Sequence, residues 1–335
     1  MSIKTIREVI GETLSAEMRR DSDVLLMGED VAGGAGCSGE DDAFGGAFGF
    51  YKGMVGEFGR GRVIDTPISE SAFIGAAGGA AATGMRPVVD LMFVDFVGVC
   101  FDQIFNQMAK FRYMFGGKSD TPVVILAMVG AGLRAGAQHS QMLHPMLTAV
   151  PGLKVVMPSN AYDTKGLLTT AIRDNDPVVF LQHKLLFETS CEVPDEDYEI
   201  PFGQAAFTRQ GNDVTIVALS SMVNKANAVA DKLATQGIAA DVIDPRTTSP
   251  LDEDAILESV EMSGRLVIVD EASERCSMAA DISSLVADRG FSSLRAGIKK
   301  VTAPHTPVPF APLLEDAYIP NEVDIEAAVM AVLKV

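Results

Sequence analysis

The sequence contains no tryptophan, and only four histidines and four cysteines among its 335 residues. The cysteines, Cys37, Cys100, Cys191 and Cys276, stand far apart and form no CxxC pair. That spacing argues against a disulfide framework or a zinc site and leaves free thiols in a reducing compartment as the simple account. No apolar run reaches the ~18 residues of a membrane-spanning helix. The first residues, MSIKTIREVIGETLSAEMRRD, mix charge with apolar spacing and lack a signal-peptide core, so a cytoplasmic location is expected. Basic residues are few: 27 lysines and arginines face 45 acids, a net charge of −18. Such a surface repels phosphate backbones and anionic bilayers, which argues against nucleic-acid and membrane partners. HExxH and GxSxG are missing, which removes the common zinc-protease and hydrolase patterns.

Two phosphate-binding patterns are present by letter and fail on context. Gly34, Gly36 and Gly39 spell GxGxxG, but acidic, glycine-rich EDDAFGGAFG follows where a dinucleotide site needs a helix N-terminus. Gly117-Lys118-Ser119 resembles the end of a P-loop, yet Arg112 stands where its first glycine is required. The acidic clusters at 40–42, 195–199 and 252–254 read as solvated loops and helix starts, or as docking surface for a basic partner.

What is there is an alternation of apolar strands and helices. Ile3, Ile6, Ile10, Leu14 and Met18 predict a helix over 3–20. VLLMG (24–28) predicts a strand with Glu29-Asp30 at its C-terminal end, where ligands collect in parallel sheets. Strands follow at 87–96, 121–129, 153–158 and 177–183, with helices at 98–115 and 161–173. Residues 191–204 are acidic, hold two prolines and lack periodicity, so they read as a linker. The alternation then resumes with strands at 213–219, 239–244, 265–272 and 298–303 and helices at 223–236, 278–289 and 322–333. Residues 305–320 carry four prolines and are expected to lie extended on a surface. The expected fold is α/β with two parallel-sheet domains, 1–190 and 205–335, joined by 191–204.

Three features are candidates for chemistry. Arg62–Asp65 reads as a strand entering a turn at Pro67, Ser69 as a helix N-cap, and Glu70 as an acid of the first helical turn. The small residues of FIGAAGGAAATG (73–84) allow close approach of another backbone or a flat ligand. Glu70 is then either an acid favouring the helix dipole or a carboxylate at the rim of a tightly packed, low-polarity region. His139, in the glycine-broken loop GAGLRAGAQHSQ, is either a backbone-bonded loop histidine or a proton carrier near neutral pH. Phe93 and Phe96 could pack in the core or stack on a flat ring. His144, His183 and His305 carry weaker signals.

In order along the chain, GED (28–30), DTPISE (65–70), GMRPVVDLMFVDF (84–96), AQHSQ (137–141), PGLKVVMPS (151–159) and AIRDNDPVVF (171–180) resemble the β subunits of thiamine-diphosphate-dependent 2-oxo acid dehydrogenase complexes. Within that family, GEDVAGGAG, DQIFNQMAKFRYMFGGK, RTTSPLDEDAILESVE, DEASERCSM and VTAPHTPVPF are most similar to the acetoin dehydrogenase branch, with the pyruvate dehydrogenase branch as the alternative. The resemblance implies a pyrimidine-binding fold followed by a transketolase-like C-terminal domain, in an α2β2 heterotetramer. Thiamine diphosphate would be shared with the α subunit, whose GDG motif holds its diphosphate and magnesium. This sequence contains no GDG. A lipoyl-bearing dihydrolipoamide acetyltransferase would accept the two-carbon product.

The resemblance also implies roles for single residues. Glu70 matches the acid that bonds the pyrimidine nitrogen and promotes deprotonation of the thiazolium carbon. Phe96, Ile68 and Met92 match walls of the pyrimidine pocket, and Glu29 matches an acid near the cofactor. His139 matches a histidine that assists proton transfer during acetylation of the lipoyl group. Val123, Ala171, Asp174 and Asp176 match positions that hold a structural potassium ion in some relatives.

Overall fold

A computed structural model describes residues 1–33 and 45–334. The GxGxxG glycines, Cys37 and the acids at 40–42 lie outside the described residues. The chain packs into two compact units. The first comprises residues 1–129, 146–182 and 186–201, and the second 130–145, 183–185 and 202–335.

The first unit opens with β1 (Ser2–Thr5) and α1 (Ile6–Arg20). The helix starts three residues later than the apolar spacing predicts, because Thr5 forms a capping box. Its side chain accepts from the Glu8 N–H while the Glu8 carboxylate accepts from the Thr5 N–H. There follow β2 (Val24–Gly28), α2 (Met54–Phe58), β3 (Val63–Asp65), α3 (Glu70–Ala82) and β4 (Arg86–Phe93). The helix expected over 98–115 is broken into α4 (Val97–Asp102), a π-helical turn at Gln103–Met108, and α5 (Ala109–Met114). Cys100 leaves helical geometry at φ −115°, yet Cys100, Ile104 and Met108 all stay buried. The π turn thus keeps the apolar stripe inward across the break. Two of the small residues on α3 serve this packing. A Cβ on Gly78 would meet Met108 at 3.0 Å, and one on Gly75 would meet Gln103 at 3.3 Å. β5 (Val124–Val129), α6 (His144–Thr148), β6 (Lys154–Val156), α7 (Ala161–Arg173), β7 (Val178–His183) and β8 (Ser190–Val193) complete this part of the chain.

In the first unit the strand order is β6-β7-β5-β4-β2-β3. Strands β3, β2, β4 and β5 pair in parallel, as do β6 and β7. Their burial is nearly continuous, as expected of a sheet covered on both faces. Residues 190–193, read from the sequence as running into a linker, form a strand instead. β8 pairs antiparallel with β1, and Asp195 beyond it accepts from the Met1 ammonium at 2.9 Å and the Ser2 hydroxyl at 2.8 Å.

The second unit adds β9 (Ala206–Arg209), β10 (Val214–Ala218), α8 (Met222–Ala234), β11 (Ala240–Asp244), β12 (Thr247–Ser249), α9 (Glu253–Ser263), β13 (Leu266–Ser273), α10 (Met278–Arg289), β14 (Lys299–Ala303), α11 (Pro312–Tyr318) and α12 (Glu322–Leu333). Its sheet order is β14-β13-β10-β11-β9, parallel except for the edge strand β9. Alternate strand residues feed two cores: Ile216, Val242, Val267 and Val269 join one, and Val217, Ile243 and Ile268 the other. The proline-rich tail is not wholly extended. Pro312 takes the first position of α11, where a missing N–H costs nothing, and Glu315 is turned fully inward.

One device recurs where strands end or shift register. Asp90 accepts from the Met92 N–H at 2.8 Å, Asp244 from Arg246 at 2.8 Å, and Asp270 from Ala272 at 2.9 Å. Met92 and Arg246 have φ of 68° and 62°. A carboxylate two residues back thus satisfies the N–H that the chain frees where β4 and β13 shift register and where β11 ends. Among the described residues no helix is long and apolar enough to cross a membrane.

α1 and α7 are locked by charge. Arg173 bonds the buried Glu17 at 2.6 and 3.1 Å and Glu199 at 2.6 Å. Arg173→Ala should cost roughly 2–3 kcal/mol, less than the loss of a fully buried partner because Arg173 is part-exposed and Arg20 still faces Glu17. Removing the exposed Arg209–Asp231 pair should cost under ~1 kcal/mol. Urea unfolding of both variants tests the ranking, and equal losses would overturn it.

Candidate functional site

In the first unit, the ends of β2 and β4 and the start of α3 bring several acids together. Gly28 closes β2 against β4, where a Cβ would lie 2.8 Å from the Asp90 carbonyl oxygen. Asp30 then takes φ 56° and the chain turns away. Asp65, at the end of β3, accepts from the Ala32 N–H at 2.6 Å and faces Arg60 at 3.3 Å, which fixes that turn. Thr66 N–H donates to the Gly28 carbonyl at 2.9 Å, which brings the DTPISE turn alongside β2.

Glu70 is the first residue of α3 and is 8% exposed. Ser69 is the N-cap as predicted, but its hydroxyl donates to the Pro67 carbonyl at 3.3 Å and makes no capping bond. Among the described residues no donor reaches the Glu70 carboxylate. Its charge is felt by two neighbours. Glu29, half-buried, is pushed above the usual carboxyl range by desolvation first and then by Glu70, Asp30 and Asp90. The Cys100 thiol is pushed up to about 12, by burial first and then by Glu70. An aromatic wall stands close in sequence to these groups. Phe93 and Phe96 meet edge-on at 5.7 Å, and Phe48 packs on Phe93 at 5.6 Å. Met92 and Phe96 are half-buried, whereas Ile68 is 84% exposed. The first unit therefore gathers Glu29 and Glu70, with Met92 and Phe96 following the same strand, and carries Ile68 on its surface two residues before Glu70.

Asp90 was not singled out from the sequence, where it sits inside an apolar strand. Burial pushes its carboxyl up to about 6, although the Met92 N–H and the Tyr51 hydroxyl pull the other way. Tyr51, fully buried, rises well above its usual value by desolvation and by the charge of Asp90. The available signal was an acid in the fourth-last place of a strand whose other residues after Arg86 are apolar.

His139 belongs to the second unit. It is half-buried, its N–H donates to the Gly136 carbonyl at 3.2 Å, and its carbonyl accepts from the Lys184 ammonium. The same unit holds two buried acid–histidine pairs that sequence reasoning did not find. His183 lies 2.7 Å from Glu271, and His144 lies 3.2 Å from Asp270 outside hydrogen-bond alignment. A cavity of about 340 Å³ opens beside the His139 loop, with Gln141, His305 and Tyr318 among its walls. Burial, and then the charge of Glu271, raises the Tyr318 hydroxyl to about 12.

The four residues matched to a potassium site lie in the first unit, and their oxygens are largely engaged. Lys154 bonds both oxygens of Asp174 at 2.7 and 2.6 Å and Asp176 at 3.3 Å, and Arg112 also bonds Asp176. The Asp174 carbonyl accepts from Arg86 at 2.5 Å and the Val123 carbonyl from the Val178 N–H at 2.9 Å. Ala171 is buried. The cationic side chains already answer both acids, so this donor set does not fit a bound cation as it stands.

Residues 3–189 match the transketolase pyrimidine-binding domain family and residues 203–325 the transketolase C-terminal domain family. The chain is 59% identical over 330 residues to the acetoin:2,6-dichlorophenolindophenol oxidoreductase subunit beta of Cupriavidus necator, covering 98% of this chain and 97% of that one. It is 54% identical to the protein of the same name in Bacillus subtilis, over 98% and 97%. The pyruvate dehydrogenase E1 component subunit beta of Bacillus subtilis is 40% identical over the full length of both. A solved structure described as a split-gene transketolase, inactive beta4 tetramer, has the same fold, with a TM-score of 0.78 at 23% identity over 98% of each chain.

The Asp90 carboxyl gives a pH signature. An acid whose folded value lies above its ordinary 3.8 weakens the fold as it ionises. Its contribution to stability should therefore fall as pH rises from about 4 to about 6, by about 3 kcal/mol, and stay level above. Asp90→Asn should remove that slope. Urea unfolding at steps across this range measures it, and parallel curves for the two proteins would show that Asp90 ionises as if solvated.

Proposed function

The chain belongs to the β subunits of the thiamine-diphosphate-dependent acetoin and 2-oxo acid dehydrogenases, and from that premise we propose that it serves an acetoin dehydrogenase. It would cleave acetoin, release acetaldehyde and pass the remaining two-carbon unit to a lipoyl group. Support for acetoin over pyruvate is the higher identity to the two acetoin enzymes. The observation that carries the site is the Glu70 carboxylate, buried at a helix start with no donor of its own among the described residues.

That carboxyl fits an aminopyrimidine ring. Buried at a helix start, it offers a hydrogen-bond partner to a ring nitrogen. Phe96, Met92 and Ile68 would wall the ring, and Glu29, already raised, would exchange protons near it. When bound, thiamine diphosphate supplies the electron sink for cleavage. Glu70 holds and orients the ring and keeps a proton at the pyrimidine nitrogen. His139 carries a proton during transfer to the lipoyl sulfur. The partners of this reading are an α subunit in an α2β2 assembly, which holds the diphosphate and its magnesium, and a dihydrolipoamide acetyltransferase. Residues 1–190 supply the pyrimidine side and residues 205–335 the C-terminal domain.

Three measurements test it. The chain copurified with its α subunit should turn over acetoin faster than pyruvate, and the reverse ranking would move it to the pyruvate branch. Glu70→Gln should lower turnover by about a hundredfold or more while the assembly stays intact, and should slow proton exchange at the thiazolium carbon. Normal exchange would sink the role of Glu70. His139→Ala should lose lipoyl acetylation with cofactor binding retained, whereas a collapse of cofactor affinity would make His139 structural.

A further inference from the structure

The segment 130–141, which carries His139, contains no helix or strand. Its backbone is held in a costly form. Gly130, Gly132 and Gly136 have φ of 92°, 107° and 80°, and Arg134, which bears a side chain, has φ 58°. A non-glycine residue in that region is strained and persists only where the surroundings enforce it.

Two buried carboxylates enforce it. Glu271, at the end of β13, is 1% exposed, and its Oε1 accepts from the Ala131 N–H at 2.7 Å. Glu315, on α11, is 0% exposed. Its Oε1 accepts from the Gly132 N–H at 2.8 Å, and its Oε2 from the Arg134 N–H at 3.1 Å and from the Arg134 guanidinium. A third group grips the far end of the loop: Lys184, itself buried, donates to the His139 carbonyl.

Glu271 is in turn fixed. Its Oε2 accepts from His183 Nε2 at 2.7 Å and from the Ser221 hydroxyl at 3.2 Å. The Leu185 N–H donates to His183 Nδ1 at 3.2 Å, so the ring proton sits on Nε2, aimed at Glu271. The imidazole lies so close to Gly130 that a Cβ there would collide with the ring. Burial works to raise the Glu271 carboxyl, but the neighbouring His183, and after it the Ala131 and Ser221 donors, outweigh burial and hold it below the usual range. It therefore stays an acceptor for the loop at neutral pH.

We propose that Glu271, Glu315 and Lys184 are positioning residues, which hold the 130–141 backbone in the one form that presents the His139 imidazole for proton transfer. This rests on the role given to His139 above. All three grip backbone, and Glu315 reaches Gly132 and Arg134 from 183 and 181 residues away in sequence. Two carboxylates buried at several kcal/mol each are an expensive way to shape a loop unless its geometry must be reproduced closely.

The test uses the assembled α and β subunits. Glu271→Gln, Glu315→Gln and Lys184→Met are compared by amide hydrogen exchange over 130–141 and by the rate of lipoyl acetylation relative to the rate with an artificial dye acceptor. Exchange in the loop should rise about tenfold or more, and the acetylation-to-dye ratio should fall about tenfold to a hundredfold. Each variant combined with His139→Ala should add no further loss of acetylation, the behaviour of groups acting through one residue. Unchanged exchange overturns the proposal. So does loosened exchange with full acetylation in a background where His139→Ala alone abolishes it. If His139→Ala itself keeps full acetylation, the reading of His139 fails, and with it the positioning role, whatever the exchange shows. Lys184→Met removes no buried acid, so it carries the test if either glutamine variant fails to assemble.

Discussion

A carboxylate withdrawn from water costs several kcal/mol unless donors meet it, and Glu70, Asp90, Glu271 and Glu315 are each 8% exposed or less. The way each is met decides what it does. Asp90 receives the Met92 N–H where β4 shifts register against β5. Glu271 receives a backbone N–H, an imidazole and a hydroxyl. Glu315 receives two N–H groups and a guanidinium. Glu70 receives none from the described residues of its own chain. The saturated acids are therefore structural anchors, and the unsaturated one retains the hydrogen-bonding capacity that chemistry at a ligand would use.

The parallel sheets explain where these acids stand. In such a sheet the strands are buried on both faces, so side chains within them must be apolar and polar groups can gather only where strands end. Asp244 ends β11, Asp90 and Asp270 sit at register shifts near the ends of β4 and β13, and each satisfies an N–H two residues on. The turn so formed releases the chain from the ladder without stranding a backbone donor. Glu29 and Glu271 then follow directly after, or beside, positions that the ladder has just released. The same rule that makes the core apolar thus concentrates titratable groups at one edge of each sheet.

Much of this was legible in the sequence. Strands such as 24–28, 214–218 and the LVIV run that opens 266–273 announced themselves, because near-continuous burial leaves a near-continuous apolar signal. α7 and α10 fell on their predicted bounds for the same reason: cap residues and an apolar face agree. The misses came where a local pattern was overruled by a partner far along the chain. The stripe from Cys100 to Phe111 is helical in period, yet its backbone passes through a π turn while packing against the glycines of α3. The prolines of 305–320 suggested an extended tail, yet α11 forms there and sends Glu315 to the loop at 132–134.

The site divided along the same line. Glu70 was visible because its meaning lies in a short ordered motif, and Glu29 because a strand stops beside it. Glu271 and Glu315 were invisible because neither local spacing nor composition distinguishes an acid that turns inward from one that faces solvent. Their partners are 140 and 183 residues away. An acid at a helix start is ordinarily solvated, and in sequence Glu315 sits among prolines and a neighbouring acid like any surface group. Only the fold shows that its two oxygens are spent on the backbone of one loop. The groups proposed for proton chemistry can thus be read from motifs, whereas the carboxylates proposed to position one of them are set by long-range packing.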